Sequence, residues 1–237
     1  LRWQLLFKNT DVEFTHKMNF QIFLSGFALG VTPGKVGELL KSQLLKNNFN
    51  IPRKITAPII LIERFYNALG LLIISCFGIL FFDFSALVLS ITVALLSAII
   101  FILRSKILFC KFLKQISKIK FLAKYSISLK DSYEVIEKST KPKIFLVSSG
   151  LSGMYWIIES IAVYYILLAL GINIIEYFTI IPIYATSMII GVASLIPGGL
   201  IVTEGTLAGL LNLHGIELTL SLSIVVIIRI FTLWYPV

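Results

Sequence analysis

Two short stretches rich in proline and glycine interrupt the apolar runs of this chain, and they restrict its fold more than any other feature. The first is Thr-Pro-Gly-Lys-Val-Gly-Glu at residues 32–38, and the second is Ile-Pro-Gly-Gly-Leu-Ile-Val-Thr-Glu-Gly at residues 196–205. Proline removes a backbone N–H donor, and glycine weakens a helix. The sequence therefore predicts helix breaks at Pro33 and Pro197, each separating two half-helices.

Equivalent charges follow both breaks at nearly the same distance, which indicates a duplicated unit. Glu38 precedes Arg64 by 26 residues, and Glu204 precedes Arg229 by 25. Both arginines lie inside apolar segments. The two units could run parallel or inverted, depending on whether the half-helix after the second break turns back.

The composition indicates that these breaks lie in a membrane. Hydrophobic residues make up 57% of the chain and charged residues only 14%, and the mean hydropathy is +0.93, which is more apolar than a soluble domain. Several apolar runs reach the roughly 20 residues that a membrane-spanning helix needs. We therefore predict an all-α, polytopic helical membrane protein with two broken or re-entrant helices in a duplicated unit. It should contain about five full spans of that length.

The positive charges indicate a membrane surface as the partner and argue against nucleic acid. The formal net charge is +9, and the cations cluster in loops beside apolar runs, as is typical of cytoplasmic loops. Residues 104–143 form a basic segment with the apolar spacing of an amphipathic helix, which favours contact with anionic headgroups. We expect residues 1–237 to form a single integral domain of the cell membrane that is part of a longer chain, with anionic membrane lipids as its partners.

Charged residues near the breaks and within the apolar runs are the candidate binding groups. Each needs a partner or water, because a charge at the bilayer centre costs about 2.5–3.5 kcal/mol on insertion scales. A broken helix exposes N–H groups and partial positive charge where its second half begins, so an anion can bind there. Paired broken helices in two related halves also indicate a midplane site in transporters. The predicted phosphate-binding residues are Lys35, Arg64, Arg229, Gly34, Gly37, Gly198 and Gly199, and their charge partners are Glu38, Glu63 and Glu204.

No set of residues in the sequence points to catalysis, a metal or a cofactor. His16 lies in a polar loop and His214 at a helix end, and neither is near a plausible nucleophile. Glu38 and Glu204 would be an acid/base pair only if they met in space. The charges in the apolar runs could instead be structural ion pairs, and for Glu159 both interpretations stay open.

An ordered set of motifs covers nearly the whole chain: residues 32–41, Glu63-Arg64, Pro-Gly-Gly at 197–199, Thr-Glu-Gly at 203–205, and Arg229 followed by Trp-Tyr-Pro at 234–236. This set resembles the lysylphosphatidylglycerol synthase transmembrane family, also called flippase-like domain proteins. The resemblance implies a helical domain that, in the aminoacyl-phosphatidylglycerol synthases, moves the modified lipid between leaflets. The soluble domain that makes that lipid is not in these residues, so we expect a non-enzymatic role beside a separate lipid-modifying enzyme. The second motif has Leu-Ile-Val where the family often has another glycine.

Three functions are compatible with these features. The leading hypothesis is a lipid translocase for an anionic phospholipid or polyprenyl-phosphate lipid, which needs a groove open to lipid. The first alternative is a membrane-embedded transferase or an accessory subunit of lipid modification, which needs paired acid/base groups and a soluble donor. The second alternative is a transporter of small water-soluble anions, which needs a sealed aqueous cavity.

The charge distribution also predicts topology. The half-helix after the first break should end near residues 46–48. The loop that follows should be cytoplasmic, because Arg53 and Lys54 add to the charge of Lys41 and Lys46. The basic segment 104–143 should lie on the same side, with Asp83 and Glu176 outside. In a cysteine-free background, Glu176→Cys should label from outside in intact cells, whereas Lys120→Cys should label only after permeabilisation. Labelling of position 120 from outside would contradict this orientation.

Overall fold

The computed structural model describes residues 2–7, 15, 20–22, 24, 40–75, 85–116, 133–194 and 196–234. Within these ranges every regular element is a helix, and none is a β-strand. The predicted all-α fold is confirmed. The first predicted break, at residues 32–38, lies outside the described residues.

The helix bounds follow the apolar runs to within a few residues. The longest are 23 residues in α3 and 28 in α7. In chain order the helices are α1 (Arg2–Phe7), α2 (Leu40–Phe49), α3 (Arg53–Ser75), α4 (Ser85–Arg104), α5 (Lys106–Ile116), α6 (Tyr133–Ser139), α7 (Pro142–Ala169), α8 (Tyr177–Ala193), α9 (Val202–Leu213) and α10 (Leu218–Arg229). A short 3-10 turn, Pro197–Gly199, lies between α8 and α9, and a π-helical turn, Ile230–Trp234, extends α10.

The two long helices α3 and α7 pack closely against each other. Gly70 permits this contact, because a Cβ at that position would lie 2.6 Å from the backbone carbonyl carbon of Ser152 on α7. Small residues let membrane helices approach in this way. The indole N–H of Trp156 on α7 donates to the carbonyl oxygen of Asn67 on α3 at 2.9 Å, and this hydrogen bond fixes the relative position of the two helices.

Helix α3 connects two buried apolar clusters. One side of α3 packs with α1, α2, α5 and α6 around Leu6, Leu45 and Tyr66. Its C-terminal part contributes Leu71 and Ile74 to the second cluster, which α7, α8, α9 and α10 complete. Helix α7 also contributes to both clusters, with Ile144 in the first and Trp156 in the second, so the α3–α7 pair joins the two parts of the fold.

The last three helices lie side by side. Helix α9 packs against both α8 and α10, and α8 packs in turn on α3 and α7. Because α9 lies beside its neighbours instead of continuing them, the chain turns back at residues 194–201 and again at 214–217. The segment after the second break is thus a separate helix of 12 residues.

Two described helices, α3 and α7, are long and apolar enough to cross a membrane, whereas α8 and the unit 218–234 are apolar but shorter. One side of α7 also presents large apolar side chains outward, with Met154, Ile158 and Tyr165 each at least 60% exposed. Such a surface is stable beside hydrocarbon and unfavourable in water.

Candidate functional site

The second break combines a proline and two glycines with one strained residue, Ile201, whose φ of 70° is unfavourable for a β-branched side chain. Helix α8 ends at Ala193, and the chain is extended at Ile196 before the 3-10 turn at Pro197. Gly198 and Gly199 both adopt positive φ, at 62° and 65°, a region that glycine enters without steric penalty. The Pro-Gly-Gly sequence therefore specifies a turn that ends one helix and starts another in the opposite direction.

A buried arginine lies against this turn. The Nε of Arg229, on α10, is 2.5 Å from Oε1 of Glu204 in the first turn of α9. Its Nη2 donates to the carbonyl oxygen of Gly198. The Arg229 side chain is only 5% exposed and the Glu204 side chain 23%. A full positive charge is therefore held at the break, with one carboxylate and one backbone carbonyl as its partners.

Small residues bring the break close to the end of α8. Gly199 is buried, and a Cβ on it would lie 3.2 Å from the Cα of Gly191 and would collide with the hydroxyl of Thr203. A Cβ on Gly191 would collide with the same hydroxyl. Because Gly199 has no side chain, the break can pack closely against Gly191 and Thr203. Gly198 is half-buried, and its carbonyl oxygen accepts a hydrogen bond from Arg229.

A second charge cluster joins α1, α3 and α7. Glu63 is 4% exposed, and its Oε1 is 3.5 Å from Nη2 of Arg2. Its Oε2 is 3.8 Å from Nη2 of the neighbouring Arg64. Arg2 also donates to the hydroxyl of Ser152 on α7. Glu63 therefore lies between two cations, of which Arg64 is the more exposed, at 26% of its side chain.

Glu159 has two tyrosine partners. Tyr155, one turn earlier on α7, donates to its Oε1, and Tyr184 on α8 donates to its Oε2 at 3.0 Å. Tyr184 is fully buried. Both carboxylate oxygens are thus hydrogen-bonded, so the structural interpretation explains why this carboxylate is tolerated inside an apolar helix.

The structure brings some of the predicted site residues together and leaves others apart. Gly198, Glu204 and Arg229 form one cluster, and Glu63 and Arg64 belong to the other. Arg229 contacts Glu204 and Gly198, and Glu63 contacts Arg2 and Arg64. The predicted residues of the first break, Pro33, Gly34, Lys35, Gly37 and Glu38, lie outside the described residues, so their part in a site stays a prediction.

Arg2 and Lys41 have contacts that no sequence motif indicates. Arg2 precedes every clear motif, and only the fold places it beside Glu63. Lys41, which the sequence places in the half-helix after the first break, is 5% exposed in the first turns of α2. Its ammonium lies 5.6 Å from the ring centroid of Trp3, a distance at which a cation is attracted to the face of the indole. This contact places the first turns of α2 beside α1.

Within the described ranges no group of histidine, cysteine, aspartate or glutamate side chains could hold a metal ion. The carboxylates of the clusters face guanidinium groups or tyrosine hydroxyls instead. Chemically, the arrangement can hold cations in an apolar setting and present them to an anion.

The helical fold, its outward apolar surface and the charge held at a broken helix define an integral helical membrane protein. The chain belongs to the lysylphosphatidylglycerol synthase transmembrane-region family, whose model matches residues 1–237. It is also similar to a UPF0104 membrane protein of Methanocaldococcus jannaschii, with 25% identity over 206 residues, covering 87% of this chain and 88% of that protein. No solved structure matches the chain.

Proposed function

We propose that this chain is a multi-pass protein of the cell membrane that moves an anionic phospholipid or polyprenyl-phosphate lipid between leaflets. The observation that carries the proposal is Arg229, a buried cation held at the second break by Glu204 and the carbonyl of Gly198. A protein that only needed to span the membrane would gain nothing from a charge there, because placing it costs several kcal/mol.

In this proposal Arg229 binds the phosphate through donors that its two contacts do not use. Its two contacts use one N–H of Nε and one of Nη2, and the other donors of the guanidinium group stay available for an anion. A guanidinium group can bind a phosphate through two parallel hydrogen bonds. In the proposed cycle Glu204 orients Arg229 while the site is empty, and the lipid phosphate binds on the remaining side.

The second charge cluster would supply another cation, Arg64, for binding the lipid phosphate. Arg64 is partly exposed beside Glu63, so it can reach a headgroup without leaving its carboxylate. The proposal gives Lys35 and Gly34 of the first break the same role, with Glu38 as their charge partner. Support for a lipid substrate also comes from the family, which is named after the transmembrane region of a lysylphosphatidylglycerol synthase.

Leaflet-resolved assays in liposomes test the proposal directly. With the full chain reconstituted, labelled phosphatidylglycerol or a polyprenyl phosphate should move between leaflets faster than in protein-free liposomes, whereas phosphatidylcholine should not. Movement of no anionic lipid above the protein-free rate would contradict a translocase. Uptake of free phosphate would instead support an anion transporter, and a chemically altered headgroup would support the transferase alternative.

A further inference from the structure

An apolar groove lies away from both charge clusters, between α3, α4 and the start of α7. Its volume is about 390 Å³, within the range of roughly 300–1,000 Å³ that small-molecule sites occupy. Phe65 of α3, Ile100 and Leu103 of α4, and Phe145 and Leu146 of α7 form its walls. No residue of α8, α9 or α10 lines it, so it is separate from the Arg229 site.

One end of this groove is cationic. Arg104, the last residue of α4, lines the groove and is exposed, and among the described residues no carboxylate lies within ion-pair distance of it. The hydroxyl of Tyr133 on α6 donates to the backbone carbonyl of Arg104 at 3.0 Å, which fixes this end of α4 beside α6. Lys141 and Lys143, on either side of the first residue of α7, are also exposed. The groove therefore combines apolar walls with positive charge at one end.

The other polar group in the lining does not compete for a ligand. The hydroxyl of Thr140 donates to the carbonyl oxygen of Ile136 at 3.0 Å, so its hydrogen is used within the turn before α7. Glu134 on α6 forms an ion pair with Lys138 at 2.9 Å. The negative charge of Glu134 is therefore balanced within α6. Arg104 is thus the lining group that can bind an anion.

We propose that this groove binds one anionic glycerophospholipid of the surrounding membrane as a resident lipid. One acyl chain lies between α3, α4 and α7, and the phosphate contacts Arg104. Leu146 is 70% exposed, so the groove opens to the side from which a membrane lipid would enter. Phosphatidylcholine fits the walls and also carries a phosphate, but its quaternary ammonium group would lie near the cations Arg104, Lys141 and Lys143 and be repelled by them. Free phosphate fits Arg104 but leaves the walls empty. The proposal does not rest on transport, because the lipid stays bound.

Thermal unfolding of the full chain in detergent, with lipid added back, tests the resident lipid. Phosphatidylglycerol should raise the melting temperature of the wild-type protein well above the effect of phosphatidylcholine, and inorganic phosphate should have no effect. Arg104→Gln should weaken phosphatidylglycerol binding about tenfold or more, as expected for losing a hydrogen bond to a charged group. Lys111→Gln, an exposed cation on α5 outside the groove lining, is the matched control and should respond like wild type.

A second pair of variants tests the acyl-chain position. Leu146→Trp should fill the groove and abolish the added stability, and the side chain is exposed enough for the fold to tolerate it. Val147→Trp, at a neighbouring position that is 44% exposed and outside the lining, should leave the effect unchanged. The proposal would be overturned if both phospholipids raised the melting temperature equally. It would also be overturned if Arg104→Gln responded to phosphatidylglycerol like wild type, or if free phosphate stabilised the protein as much as the lipid does.

Discussion

Replacing Arg229 with glutamine is expected to abolish lipid movement and to lower the stability of the protein. The substitution leaves the carboxylate of Glu204 and the carbonyl of Gly198 without their donor. Breaking a buried ion pair by removing one partner costs roughly 3–5 kcal/mol. We expect the lower end of that range, because the Glu204 side chain is 23% exposed. Thermal unfolding in detergent measures the stability, and the leaflet assay measures transport per folded molecule.

The double variant Glu204→Gln/Arg229→Gln separates the two effects. It removes both charges together, so no uncompensated ion is left, and much of the lost stability should return. Transport should stay absent, because the cation that binds the phosphate is gone. If the double variant moves lipid at the wild-type rate per folded molecule, Arg229 is structural and the site assignment is wrong.

Arg229→Lys gives the intermediate case. It keeps the positive charge but loses the planar fork of the guanidinium group, so it can pair with Glu204 as a point charge but cannot also hold Gly198 in the same geometry. The stability should fall less than in Arg229→Gln, and transport should be reduced but measurable.

The second large effect is expected at Gly70, where α3 meets α7. In Gly70→Ala the new Cβ would lie 2.6 Å from the carbonyl carbon and 2.8 Å from the carbonyl oxygen of Ser152. Backbone atoms cannot move aside as a flexible side chain does, so the helices must separate. Overpacking of this kind typically costs about 1–3 kcal/mol, and Gly70→Leu should cost more. Separation would also weaken the contact between Ser152 and Arg2 beside Glu63.

Two glycines of α7 are matched controls for Gly70. A Cβ on Gly150 or Gly153 would meet nothing within 4 Å. Alanine at either position should leave the melting temperature unchanged or raise it, since alanine is favoured over glycine in a helix by roughly 1 kcal/mol. If Gly70→Ala has the same melting temperature as the wild type, the α3–α7 contact is looser than described.

Local sequence signals account for what could be predicted. The apolar runs have the length and spacing of helices, so the positions of α3, α4 and α7 follow from the sequence. Pro197 with its two glycines is a local helix-ending signal, and the structure has a turn there. The matched spacing of Glu204 and Arg229 indicated a pair because nearly equal distances in two units are difficult to explain otherwise.

Contacts that join distant parts of the chain could not be predicted in this way. Arg2 meets Glu63 across 61 residues and Ser152 across 150, and neither spacing repeats in the sequence. The contact of Lys41 with Trp3 could not be predicted either, because nothing near Lys41 in the sequence indicates that α1 lies beside α2. The partners of Glu159 were missed because Tyr184 lies on a different helix, 25 residues away.

The brevity of α9 has a consequence for the surrounding bilayer. Its 12 residues extend about 18 Å, whereas the hydrocarbon layer is about 30 Å thick. A membrane adapts to a short apolar element by thinning locally or by letting flanking side chains reach the interface. A polar headgroup passing beside α9 would then cross roughly 18 Å of hydrocarbon in place of about 30 Å. Hydrophobic mismatch would thus lower the barrier to crossing before any contact between the headgroup and the protein is made.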